Sequence, residues 1–147
     1  MADVQVIGIN EAKRALAEIA AEAPAMAKRA IRAGAAQLGE GMERRAPRLS
    51  DELEGTLPRS IRMRDAGVMA VDVGTSHGLA DVVEHGGEIT PRRAEYLWFM
   101  GDRGEVFARR VTMPAQPFIR PAVDEDRVRA AVAVKRSASK SMRRVRG

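Results

Sequence analysis

PAMAKRAIRAGAAQLGEGMERR, residues 24–45, is the stretch whose reading decides the fold. Ile31, Ala35, Leu38 and Met42 recur at helical spacing and form one apolar stripe. Lys28, Arg29, Arg32, Glu40, Glu43 and Arg44 fall largely elsewhere, as expected of a helix that buries one face. Proline suits the first turn of a helix and is excluded from its interior, so Pro24 is expected to open this helix and Pro47 to end it. Gly34, Gly39 and Gly41 lie inside it, and an exposed glycine costs a helix up to about 1 kcal/mol relative to alanine. Either the helix packs against a surface that requires small residues, or it is shorter than drawn.

Upstream, residues 3–9 (DVQVIGI) alternate weakly and read as a short strand, with Asn10 as the cap of a first helix that carries Ala12, Leu16, Ile19 and Ala20 and breaks at Ala23. Downstream, residues 46–59 (APRLSDELEGTLPR) fit neither periodicity and read as a long loop. Ile61 and Met63, a turn at Asp65-Ala66-Gly67, and Val71 and Val73 form an expected hairpin. Leu79, Val82 and Val83 suit one or two helical turns closing on Gly86-Gly87, and Ile89 begins an extended piece. Residues 96–100 (YLWFM) and 105–111 (EVFARRV) flank Gly101-Asp102-Arg103-Gly104 as a second hairpin with a four-residue loop. Pro121 can start a final helix with Val123, Val128, Ala131 and Val132. Hairpins without βαβ alternation imply an α+β domain: a mainly antiparallel sheet of four to five strands on one long helix, followed by a C-terminal helix and a basic tail.

With 147 residues the chain is the size of one domain, and without cysteine it has no disulfide framework, cysteine metal site or thiol nucleophile. The net charge of +5 is unevenly placed. Residues 135–147 hold Lys135, Arg136, Lys140, Arg143, Arg144 and Arg146 and no acid, which leaves 19 basic against 20 acidic residues in the rest. The expected division is therefore a near-neutral domain over 1–134 and a basic tail over 135–147. A local basic end suits a solvated helix terminus or a contact with phosphates or an acidic surface, and both readings stay open. No apolar run reaches signal-peptide or membrane-span length, so a protein made and kept in soluble form is expected.

Little site chemistry is legible. His77 and His85 match no zinc or two-metal spacing, Ser50, Ser60 and Ser76 lack a G-x-S-x-G elbow, and the glycine pairs lack the lysine of a phosphate loop. Neither catalytic residues, cofactors nor metals are expected. All five aromatic residues lie between Tyr96 and Phe118. Tyr96, Trp98 and Arg109 or Arg110 could form a nucleic-acid stacking platform. The preferred reading is core, because Leu97, Phe99, Val106 and Phe107 are needed to fill an interior otherwise built of Ala, Val and Met.

Three segments in order resemble one family. Residues 43–47 (ERRAP) followed by 55–61 (GTLPRSI) are similar to a helix ending in A-P and then T-G-x-L-x-x-S-I. Val83-Glu84-His85-Gly86 resembles its V-E-x-G turn, and residues 114–122 (PAQPFIRPA) resemble its A-x-P-F-x-R-P-A run. The family is the HK-ninety-seven gene-product-ten-like head-tail joining or tail completion proteins of tailed bacteriophages. Glu54 stands where threonine is usual and Leu79 where an aromatic is common. The Ile89 to Val111 segment resembles the virion morphogenesis proteins of Mu-like phages, which serve the same neck.

The resemblance implies a non-enzymatic virion structural protein of a phage, prophage or gene transfer particle. It forms a ring, commonly of six copies, at the head-tail neck, and resides in the host cytoplasm during assembly. Implied partners are further copies, a stopper or adaptor, a tail terminator or tail-tube protein, and packaged DNA, with no membrane. Pro47, Leu53, Leu57, Glu84, Pro117, Phe118 and Arg120 are the expected subunit or tail-tube contacts. Lys135, Arg136, Lys140, Arg143, Arg144 and Arg146 are the expected DNA or acidic-partner contacts. The alternative is a small nucleic-acid-binding domain that uses the aromatic hairpin and the basic tail.

Overall fold

A computed structural model describes residues 9–48, 56–101 and 103–146. Helix α1 runs over Ile9–Arg45, α2 over Thr56–Arg59, and strands β1 and β2 over Ile61–Gly67 and Ala70–Thr75. They are followed by α3 (Ala80–His85), β3 (Gly87–Ile89), β4 (Leu97–Gly101), β5 (Gly104–Ala108), β6 (Val111–Met113) and α4 (Ile119–Arg146). The α+β class, antiparallel pairing, long helix and C-terminal helix are as expected. The strands are distributed among three antiparallel pairs, β1 with β2, β3 with β6 and β4 with β5.

The two expected N-terminal helices are one. Pro24 lies inside α1, and the broken hydrogen bond is tolerated because Ala20, whose carbonyl would have received it, is exposed along with Pro24. Asn10 is a helical residue rather than a cap, and the expected strand falls, except for Ile9, outside the described residues.

The glycines of α1 are there for close packing. A Cβ on Gly34 would lie 2.6 Å from Val134 Cγ2 and 3.2 Å from the Ala130 carbonyl oxygen, and one on Gly41 would collide with the Asp126 carboxylate. Gly34 thus meets residues 130–134 and Gly41 meets residue 126, so α1 and α4 run antiparallel and approach closely at two positions where α1 contributes no side chain.

On a second face of α1, Val73 of β2 approaches Gly39, and Val71 and Val73 are half-buried as their alternation requires. Asp65 of β1 ties the hairpin to the helix through Lys28 Nζ and Arg32 Nη1, each at 2.8 Å. Lys28 is the larger influence that, with Arg32, holds the Asp65 carboxyl below the ordinary aspartate range. The reversal sits at exposed Val68-Met69, with a bulge between Asp65 and Gly67 where the turn had been expected.

The core collects where five elements meet. Met42 comes from the end of α1 and Ala46 from just after it, Leu57 from α2, Ile61 from β1, Ala80 and Val83 from α3, Phe118 from just before α4 and Ala122 from its first turn. The expected loop over 46–59 therefore contains a helical turn that delivers Leu57, at 1% exposure, to the interior. Residues 49–55 of that loop lie outside the described residues.

At the C-terminal end the basic segment continues α4 without a break, because residues 135–146 contain neither glycine nor proline. The helix starts at Ile119, so Pro121 lies in its first turn.

Candidate functional site

Two of the family-like motifs converge in one junction. Gly86 ends α3 with φ 74°, and a side chain there would meet the Ala115 backbone nitrogen at 2.9 Å, so the chain after β6 can cross closely behind α3. The Gln116 N–H donates to the Val83 carbonyl at 2.7 Å. That crossing sets the start of α4 against Glu84. The N–H groups of Phe118 and Ile119 donate to Glu84 Oε2 at 2.7 and 2.9 Å, and the N–H of Arg120 donates to Oε1 at 2.9 Å. The first N–H groups of a helix have no partner within it. Here three are taken by one carboxylate, and the next residue, Pro121, has no N–H to satisfy.

Burial pushes the Glu84 carboxyl up, but the three backbone donors together outweigh it and hold the group below the ordinary glutamate range. The negative charge also sits at the positive end of the α4 dipole. V-E-x-G and P-F-x-R-P-A are thus the two halves of a long-range helix cap.

A second charged junction joins the end of α1 to α4. Arg45 Nη1 donates to Asp126 Oδ2 at 2.6 Å and Nη2 to Glu125 Oε2 at 2.5 Å. Arg44 and Arg129 approach the same aspartate at 3.4 Å each. Asp126 is almost completely buried, and its bond to Arg45 is the largest influence holding its carboxyl low. Asp126 and Arg45 escaped sequence reading because nothing in their local spacing pairs residues so far apart in the chain.

The small polar cluster near α2 has the connectivity of a structural network. Thr75 Oγ1 accepts the His77 N–H at 3.0 Å and lies 2.5 Å from Ser60 Oγ, which bonds the Leu57 carbonyl oxygen at 2.6 Å. Among the described residues no group of His, Asp and Glu is arranged to hold a metal ion, and no helix is long and apolar enough to cross a membrane.

Of the expected contact residues, Leu57 and Phe118 are corrected to core, and Glu84 is consumed by the α4 cap. Each occupies one of the inward-facing positions of its motif. Pro117 and Arg120 are exposed and line a shallow depression beside Glu84 and His85; Pro47 is half-buried at the end of α1, and Leu53 lies outside the described residues. Lys135, Arg136, Lys140, Arg143 and Arg144 project from α4, whereas the Arg146 side chain is outside the described set.

The largest correction concerns the aromatic hairpin. It is a separate two-stranded ribbon, with Trp98 50%, Met100 48% and Phe107 64% exposed, rather than a source of core. Gly101 pairs with Gly104, so the loop has two residues instead of four, and Val111 belongs to β6 rather than to the ribbon. Arg109 is committed to Glu95 Oε1 at 2.9 Å and to Tyr96, whose ring centroid is 5.3 Å from its guanidinium carbon. Of the two arginines proposed for a base-stacking platform, Arg109 is therefore engaged at the foot of the ribbon, and Arg110 approaches Glu88 Oε1 at 3.4 Å.

Residues 10–86, from α1 through α3 and its glycine cap, match the family described as "Bacteriophage HK97-gp10, putative tail-component". The chain belongs to the HK97-gp10-like family. No curated protein and no solved structure matches it. The family match ends at Gly86, two residues after Glu84, so the HK97-gp10-like region supplies the carboxylate and the remainder of the chain supplies the helix end that it caps. The description of the family as a tail component is consistent with a structural phage protein.

Proposed function

We propose that this HK97-gp10-like chain is a non-enzymatic virion protein that forms a ring at the head-tail interface, as a tail completion or head-tail connector component. Family membership supports the virion assignment. The observation that carries the ring is the exposed ribbon, which offers large apolar side chains to solvent where an isolated subunit gains nothing from them. A two-stranded hairpin is at best marginally stable alone in water, and burial against a neighbour would supply the missing layer. A ring is built from heterologous contacts that close by rotation, so a projecting element on one side of each subunit needs a receiving surface on the other.

Size-exclusion chromatography with light scattering tests this on the full chain. The expected result is a closed oligomer, with six copies of the 16.0 kDa chain as the leading stoichiometry, visible as rings by negative-stain microscopy. A monomer at every concentration up to the millimolar range overturns it.

Contact with packaged DNA is a second reading, favoured by one observation. Lys135, Arg136, Lys140, Arg143 and Arg144 are exposed along the end of α4 and form no ion pair among the described residues. It predicts DNA affinity that falls steeply with salt and is lost on truncation after Val134.

A further inference from the structure

Adjacent residues of a strand face opposite sides, and the ribbon is apolar on both. The cross-strand partners Leu97 with Ala108 and Phe99 with Val106 share one face; Trp98 with Phe107 and Met100 with Glu105 share the other. The first face is largely half-buried, while the second presents its three large apolar side chains and one carboxylate to solvent. Glu105 forms no ion pair among the described residues.

Elsewhere on the same chain lies a surface of matching character. Between α1 and α4 a groove is lined by Ala33, Val132 and Ala133 and by the cations Arg129, Arg136 and Lys140. Its apolar lining is made of small or medium side chains, with Val132 52% exposed. Of these cations Arg129 is paired with Asp126, whereas Arg136 and Lys140 form no ion pair among the described residues.

We infer that the Trp98/Met100/Phe107 face of one subunit seats in the α1–α4 groove of the next copy, with Glu105 meeting Arg136 and Lys140. Area and charge both favour a second copy as the occupant. At about 150–250 Å² for a large side chain, the exposed fractions of Trp98, Met100 and Phe107 amount to about 300 Å². That is a substantial part of the about 800 Å² that each partner commits to a stable interface. Large side chains on the ribbon face small ones lining the groove, and a lone carboxylate faces two unpaired cations. Because donor and acceptor are different regions of one chain, the contact is head-to-tail and propagates around a ring. This inference rests on the ring reading above and adds the surfaces that make it.

The test uses two full-length variants, Trp98→Ser with Phe107→Ser in the ribbon, and Val132→Glu in the groove. All three positions are solvent-exposed, and circular dichroism verifies that each variant folds. Each variant alone is expected to be monomeric. Their equimolar mixture is expected to stop at a 1:1 dimer of two 16.0 kDa chains, because only one functional ribbon and one functional groove remain. Glu105→Arg is expected to weaken wild-type assembly at least tenfold, and Arg136→Glu with Lys140→Glu in the same chain to restore it.

Assembly of the ribbon variant at wild-type stoichiometry overturns this docking and leaves the ring standing. A mixture that remains monomeric, or a charge exchange that restores nothing, also overturns it. A wild-type chain that never assembles removes the ring reading as well.

Discussion

Replacing Glu84 by glutamine probes the junction that orders the second half of the molecule. The wild-type carboxylate accepts three backbone N–H bonds of 2.7–2.9 Å from the start of α4. Glutamine has nearly the same shape, and its single amide oxygen can still accept from Phe118 and Ile119. Its NH₂ group then faces the Arg120 N–H, donor against donor, and the charge at the helix terminus is gone.

Hydrogen bonds to a charged group contribute about 1.5–3 kcal/mol net, and a charge at a helix terminus about 0.3–1 kcal/mol. Part of this is offset by the desolvation of glutamate that glutamine avoids, so the expected loss for Glu84→Gln is about 2 kcal/mol at neutral pH. Glu84→Ala, which leaves all three donors without their acceptor, should lose about 3–4 kcal/mol. For a chain of this size the glutamine value corresponds to about 4–8 °C in Tm.

Urea denaturation followed by circular dichroism, repeated across pH, supplies the diagnostic. Glu84 titrates below its unfolded-state value of about 4.3, so its stabilisation is complete above that value and is lost as pH falls through the lower folded-state value. The gap between wild type and Glu84→Gln should therefore close in strong acid. A gap under about 0.5 kcal/mol at neutral pH, or one that is unchanged in acid, would refute the cap and its electrostatic account.

Gly39→Ala and Gly41→Ala should move stability in opposite directions. A Cβ at Gly39 makes an ordinary 3.5 Å contact with Val73, so the helix gains about 0.5–1 kcal/mol, whereas at Gly41 the Asp126 carboxylate must shift and about 1–3 kcal/mol is lost. Equal urea midpoints for the two variants would contradict the packing argument. Pro24→Ala restores the N–H that Ala20 lacks as a partner and should strengthen α1 locally by up to about 3 kcal/mol. The readout is slower amide exchange around residue 24, and unchanged exchange there would mean that the missing bond costs the helix nothing. Asp65→Asn should lower the urea midpoint slightly at low salt, with the difference vanishing near 1 M salt, where screening acts over about 3 Å. A loss that persists in high salt would mean that Asp65 acts through packing instead.

The sequence carried the stripe Ile31, Ala35, Leu38 and Met42 and the family-like motifs in the open, since periodicity and motif order are local properties. It also posed the glycines of α1 as a choice between close packing and a shorter helix. Val134 and Asp126, in a different helix, make that choice. The failure at Pro24 has the same origin: proline weakens a helix anywhere, but whether the broken bond is costly depends on solvent access to the carbonyl one turn earlier. For the aromatic hairpin the apolar count alone points to core. Yet residues 97–100 are apolar at consecutive positions, which in a two-stranded ribbon puts apolar side chains on both faces.

By itself, then, the sequence determined the α+β class, the antiparallel pairing of the first hairpin, the basic C-terminal end and the resemblance that names the family. These follow from residue order over a few turns or strands. Tertiary structure alone decided that Glu84 caps a helix 35 residues away, that Asp126 is held by Arg45, and that Trp98 and Phe107 face outward. Hydrogen bonding and burial depend on which distant backbone donors and side chains the fold brings within a few ångströms, and local spacing does not encode that.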